Sequence, residues 1–170
     1  MTADVEAALW RFVLDLDLAG EVYARRRPVD EPLRWRLSDP RQLQFTGVTD
    51  RLHVRILDVP AALEARGYLG SGRVVLDVLA PPVDEGAADP APGRWVLEVG
   101  PDGASCRPAR RDEDAELRLD VTALGSLYLG AFPASLLAAA GRVGELIPGS
   151  LAVADALLTT RPAPLTATGF

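Results

Sequence analysis

The sequence predicts an α+β fold: an antiparallel-dominated sheet, covered on one face by helices and preceded by an N-terminal helical segment. Three observations carry this. Apolar residues near the N-terminus recur at helical spacing, with Leu9, Trp10, Phe12, Val13 and Leu16 on one broad stripe. Between residues 52 and 121 the period switches to two, the signature of strands. From residue 122 onward helical segments follow one another, each opened by a cap residue or a proline. Strands and helices are thus segregated rather than alternating, which disfavours a doubly wound sheet.

The first helix is predicted over residues 7–22, with Asp15 and Asp17 off the stripe and Arg25, Arg26 and Arg27 beyond its carboxyl end. Pro28 and Pro32 stop any long continuation. Residues 52–57 read as a strand, with Leu52, Val54 and Ile56 alternating with His53, Arg55 and Leu57. Asp58 is placed to cap a short helix over residues 61–66, which Gly67 would end. Further strands are predicted at 73–79, 94–99, 104–108 and 116–121, with a tight turn from Gly100 to Gly103 closing a hairpin. Glu116 falls on the polar face of the last of these. The stretch 80–93 holds four prolines and no apolar period, and reads as a long mobile loop. Thr122 is a cap for residues 123–129, Pro133 opens 134–140, and Pro148 opens 149–158. The tail, 161–170, is extended.

At 170 residues the chain is long enough to bury a core without disulfides or metals. Its formal net charge of −6 argues against a nucleic-acid partner, because such binders gather Lys and Arg on one face. Arg25 to Arg27 and the weaker pair Arg110 and Arg111 both lie beside acids and read as solvated surface. Cys106 is the only cysteine, so nothing calls for an oxidising compartment. The acidic N-terminus is not a signal peptide, and the least charged stretch, 121–143, is broken by glycines and Pro133, which makes a membrane span unfavourable. The expectation is a cytoplasmic protein.

Residue chemistry alone yields no active site. One His and one Cys cannot supply a structural zinc ligand set. His53 has no nucleophile motif near it, and Cys106 has no second candidate base. The run from Arg66 to Gly72 is superficially like an acetyl-CoA phosphate loop. Its glycines are spaced one residue too far, however, and it precedes a strand instead of opening a helix, so it reads as a turn. No cofactor or metal site is expected in this chain.

Longer segments carry more information. Residues 8–18 (ALWRFVLDLDL), 30–35 (DEPLRW), 39–41 (DPR), 52–63 (LHVRILDVPAAL), 117–130 (LRLDVTALGSLYLG), 141–146 (GRVGEL) and the close at 161–164 (RPAP) with a terminal Phe170 resemble the Eis (enhanced intracellular survival) family of GNAT acetyltransferases, in register nearly end to end. The resemblance implies an order of parts. Residues 1–45 would be the remnant of a central GNAT-like domain, and residues 46–170 a sterol-carrier-like domain. Acetyl-CoA and the catalytic tyrosine belong, in that family, to an amino-terminal domain with no counterpart here. The resemblance also implies a role for the α-carboxylate of Phe170 as base for an acceptor amine. Its ordinary pKa of about 3.3–3.7 leaves it ionised at neutral pH. The family often has an aromatic after Ala-Pro and an acid before the last Phe; Leu165 and Gly169 stand there instead.

Two functions follow as expectations. One is a module of an acetyl-CoA-dependent N-acetyltransferase, not catalytic alone, whose partner is a GNAT domain or subunit, or a second copy. The other is a stand-alone sterol-carrier-like protein for an apolar small molecule. For the latter, Trp95, Leu97, Leu117, Leu119, Leu127, Tyr128 and Phe132 are the candidates to line a cavity. The same residues equally suit a closed core.

Overall fold

The structure, a computed structural model, describes residues 2–50, 52–80 and 91–166. These residues fall into two units, one spanning 52–164 and the other holding the residues before 51 together with those from 165 on.

In the second of these, α1 (Ala3–Leu14) starts at Thr2, whose hydroxyl accepts the Val5 N–H at 3.4 Å, with Asp4 and Glu6 in the positive first turn. It ends eight residues earlier than the apolar stripe suggests. Asp15 stands at its C-cap, and Leu18 takes a left-handed φ of 64°, which an α-helix cannot contain. Past it, Glu31 and Asp39 cap two 3-10 turns, Pro32–Arg36 and Pro40–Gln42, by accepting the N–H of Leu33 and Arg41. Arg27 pairs with Glu6 and Glu31 and lies 5.4 Å from the Trp10 ring. The arginine run is therefore not simply solvated: Arg27 ties α1 to the turn that follows it.

The larger unit is built on a five-stranded sheet in the order β3-β2-β1-β4-β5. Its strands are β1 (Gly72–Leu79), β2 (Gly93–Gly100), β3 (Gly103–Pro108), β4 (Leu117–Asp120) and β5 (Val143–Glu145). Every pairing is antiparallel except β1 with β4. Gly100 pairs with Gly103 across the expected hairpin turn. The helices are α2 (Val59–Ala65), α3 (Val121–Tyr128), α4 (Ala134–Ala139) and α5 (Ser150–Leu158). Asp58 caps α2 as expected, by accepting the Ala61 N–H at 3.0 Å. Asp120, not Thr122, caps α3, accepting the Ala123 N–H at 2.7 Å. Glu145 reaches from β5 to accept the N–H groups of Gly149 and Leu151, and so caps α5.

One face of the sheet presents Val74, Leu76, Val78, Leu97, Val99, Cys106, Leu117, Leu119 and Val143 to the helices, which answer with Val59, Leu63, Leu124, Leu127, Ala154, Leu157 and Leu158. Each fully buried leucine contributes about 1.5–3 kcal/mol relative to exposure, so this contact is the main source of stability. The other face buries Val75 and Val96 and is otherwise ionic.

Two strand expectations change. Residues 52–57 form no ladder; they run extended with Ile56 buried and Val54 partly buried against the core. Alternating burial needs only an extended chain lying on a core, with or without a neighbouring strand. That segment approaches α3 so closely that a Cβ on Gly125 would stand 2.4 Å from the Val54 carbonyl oxygen. His53 is accordingly an exposed residue off the sheet. In its place, the three-residue β5 completes the edge beside β4. The expected loop over 80–93 falls almost wholly outside the described residues, at 81–90.

Candidate functional site

The cavity candidates separate into three groups. Leu97, Leu117, Leu119 and Leu127 come together, each 2% exposed or less, inside the core. Trp95 and Tyr128 pack on its margin, partly buried. Phe132 lies outside it and is 48% exposed. Phe170 lies outside the described residues.

Trp95 is held by its indole N–H, which donates to the Ala91 carbonyl at 3.0 Å. Its ring and Leu57, Asp58, Val59 and Pro60 line a surface cleft of about 390 Å³. The lining is apolar apart from Asp58, whose carboxylate is engaged in capping α2. This cleft suits a small apolar group better than a polar reactant.

A polar cluster stands where α2 and α5 end. Tyr68 and Tyr128 donate their hydroxyls to the carbonyls of Leu63 and Ala62, at 2.6 and 3.2 Å. Burial pushes the Tyr68 phenol well above its ordinary pKa, so it remains protonated. Arg66 stacks 4.8 Å from the Tyr68 ring and donates Nη2 to the Leu158 carbonyl at 2.9 Å. Burial lowers its guanidinium pKa from the ordinary value. Nothing in the local sequence marks this cluster beyond a turn. Its partners are distant in the chain, and only the folded topology brings them together.

Cys106 sits in β3 with its backbone N–H donated to Glu64 Oε1 at 2.8 Å. Burial, reinforced by Glu64 and Asp58, pushes the thiol up to about 11. It is a protonated core residue, not a nucleophile. The ionic face of the sheet is self-contained: Glu113 takes both Arg107 and Arg73, Glu98 and Glu116 complete the network, and Arg118 pairs with Asp77 at 2.9 Å. Arg107 first, then the Arg110 N–H, holds the Glu113 carboxyl far below the usual carboxylate range. Among the described residues no cluster of three or more His, Cys, Asp or Glu is arranged to hold a metal ion. None of their helices is long and apolar enough to cross a membrane.

A surface feature of α1 complements these sites. The helix buries none of its residues, and Val5, Leu9 and Phe12 are 51%, 52% and 66% exposed at helical spacing. These three residues form an exposed apolar stripe along one side of the helix.

Two protein families match these two parts separately. The sterol carrier protein domain family matches residues 59–167, and the acetyltransferase (GNAT) domain family matches residues 1–56. An uncharacterized N-acetyltransferase of Streptomyces avermitilis is 48% identical over 163 residues, which are 96% of this chain and 37% of that protein. N-acetyltransferase Eis of Mycobacterium tuberculosis is 42% identical over 84% of this chain and 33% of its own length. The crystal structure of Eis1 from Mycobacterium abscessus superposes with a TM-score of 0.77 at 33% identity, covering 99% of this chain and 41% of that one. The chain thus spans well under half the length of the relatives it matches.

Proposed function

Since this chain belongs to the sterol carrier protein domain family and is Eis-like in both its parts, we propose that it serves as the C-terminal module of an acetyl-CoA-dependent N-acetyltransferase and is not catalytic alone. On this reading residues 1–45 belong to a central GNAT-like domain and residues 46–170 to the sterol-carrier-like one. The observation that carries it is the exposed apolar stripe of α1, Val5, Leu9 and Phe12, in a segment that matches a GNAT family over residues 1–56. A helix in an otherwise complete domain would hide Val5, Leu9 and Phe12. The partner is a GNAT domain, in the same polypeptide or as a subunit, and the working place is the cytoplasm. The Phe170 carboxylate would be delivered to the acceptor site, where an ionised group accepts the proton of a reacting amine. A second copy of the chain is the other candidate for the α1 face.

The test is acetyl-CoA binding and transfer. Calorimetry on the chain alone is expected to give no measurable binding, whereas joining it to the upstream portion of the Streptomyces avermitilis relative should yield acetylation of an amine. A dissociation constant near micromolar for the chain alone, about −8 kcal/mol, would overturn the proposal.

The cleft at Trp95 supports a second reading, a carrier of apolar small molecules. Its volume of about 390 Å³ is in the lower part of the range that ligand pockets occupy. Native mass spectrometry finding a co-purifying apolar ligand, lost in Trp95→Ala, would favour it.

A further inference from the structure

We infer that residues 109–116 form a strap across the outer face of the sheet, held by an ionic latch at Glu113, and that the strap releases as a unit while the helix-packed core stays folded. Topology puts it there. The strand order β3-β2-β1-β4 makes the chain between β3 and β4 cross both β2 and β1. Its two ends are pinned on those strands, the Ala109 N–H to the Arg94 carbonyl at 2.8 Å and the Glu116 N–H to the Val75 carbonyl at 2.9 Å. Beside the pins lie Val75 and Val96, which face each other in the β1–β2 ladder. They stand outside the helix-packed core, yet are 1% and 0% exposed. Alternate side chains of a strand share a face, so their neighbours here are Arg73, Asp77, Arg94 and Glu98. The strap and these long charged side chains shield the pair.

The strap is held by charge and hydrogen bonds far more than by packing. Of residues 109–116 only Ala115 is buried. Glu113 collects an arginine from each strand beneath it. Its carboxylate takes Arg107 of β3 at 2.7 and 2.8 Å and Arg73 of β1 at 3.1 Å, and its carbonyl takes Arg94 of β2 at 3.1 Å. The same carboxylate accepts the Arg110 N–H at 2.7 Å, and the Glu113 N–H donates to the Arg110 carbonyl at 3.2 Å, which folds the turn of the strap around the latch. At the far end Glu116 takes Arg73 at 3.1 Å. The side chains of Arg73 and Arg107 are 40% and 36% exposed, so dissolved ions reach the latch and screen it. A segment with little buried apolar surface and solvent-accessible ionic contacts lies at the low-stability end of a fold and opens without the rest. The opposite face, packed on Leu63, Leu124, Leu127 and Leu157 of the helices, does not share that weakness.

The experiment is native-state hydrogen exchange on the 170-residue chain at neutral pH, in about 0.05 M and about 1 M sodium chloride, each amide's rate being taken relative to the denatured chain. The bonded strap amides of Ala109, Arg110, Glu113 and Glu116 are expected to be protected at low salt and to lose protection about threefold to tenfold at high salt. The Val75 N–H, whose acceptor is Glu116 Oε2 at 3.1 Å, should follow the strap and not its own strand. The amides of Leu76 and Leu97, inside the β1–β2 ladder, should lose none. Glu113→Gln, which keeps the shape and removes the charge, should lower strap protection at low salt by a similar factor and flatten its salt dependence. Strap amides that exchange as slowly as Leu76 and Leu97 in both salts, that are unprotected at low salt, or that ignore Glu113→Gln would overturn the inference. Should Glu113→Gln weaken the whole fold, the Leu76 and Leu97 amides of the same sample register it, and the salt series on the unaltered chain decides.

Discussion

Glu116 lends its side chain to Val75 as a substitute strand: its Oε2 accepts the Val75 N–H at 3.1 Å while its own N–H donates to the Val75 carbonyl at 2.9 Å. The parallel ladder between β1 and β4 begins only at the next pair, Leu76 with Leu117. One carboxylate therefore completes the hydrogen bonding of β1 where β4 is too short to do so. By its strand position alone Glu116 reads as a solvated residue whose loss costs little, less than about 1 kcal/mol.

Glu116→Ala should instead cost about 1–3 kcal/mol, because it strands the N–H of a valine that is 1% exposed. Glu116→Gln, which keeps an acceptor oxygen, should cost less. Leu119→Ala on the buried face should cost about 2–5 kcal/mol through the cavity it leaves. Denaturant midpoints with unchanged slopes measure all three. If Glu116→Ala proves as mild as a surface substitution, the carboxylate is not standing in for a strand.

Gly125→Ala should destabilise by about 1–3 kcal/mol, although alanine is the better helix former. The added methyl meets the Val54 carbonyl oxygen at 2.4 Å, and backbone must move to admit it. A neutral or stabilising result would mean that residues 52–57 do not lie against α3.

These two positions show where the sequence was legible. The Asp58 cap, the Gly100–Gly103 hairpin and the apolar faces of β1 to β4 follow from local pattern, and the structure agrees with them. Residues 52–57 carry the same alternation without a ladder, because burial period reports an extended chain and not its hydrogen-bond partner. The missed strand β5 spans three residues with Gly144 at its centre, too short for any periodicity. Glu64 and Arg66 are illegible for a different reason: their roles depend on partners 42 residues or more away in the chain.

Cys106 should resist alkylation at pH 8 in the native protein and react quickly once denatured. Burial raises its pKa from 9.0 to about 11, so the thiol stays neutral in the fold. Raised above its unfolded value, this group contributes stability that is complete below pH 9 and fades as the pH climbs toward 11. Cys106→Ala should flatten that part of the stability curve; native labelling as fast as that of the denatured chain would contradict the burial.

Glu113 titrates in the opposite sense. Its pKa is depressed by Arg107 and the Arg110 N–H, so its contribution is present above the ordinary carboxylate range and lost as the pH falls through it. Glu113→Gln should therefore lose less stability on acidification than the unaltered chain, followed by thermal midpoints from pH 6 to pH 3. An unchanged acid slope would show that the network is not coupled to folding.

The central claim is that α1 presents a face made for a GNAT partner, and co-elution tests it most directly. The chain is mixed with the upstream portion of the Streptomyces avermitilis relative and run on size exclusion, beside a Phe12→Asp variant that places a charge on the exposed stripe. The account predicts one joint peak with the unaltered chain and two separate peaks with Phe12→Asp. Separate elution of the unaltered chain, or equal co-elution of both forms, would contradict it.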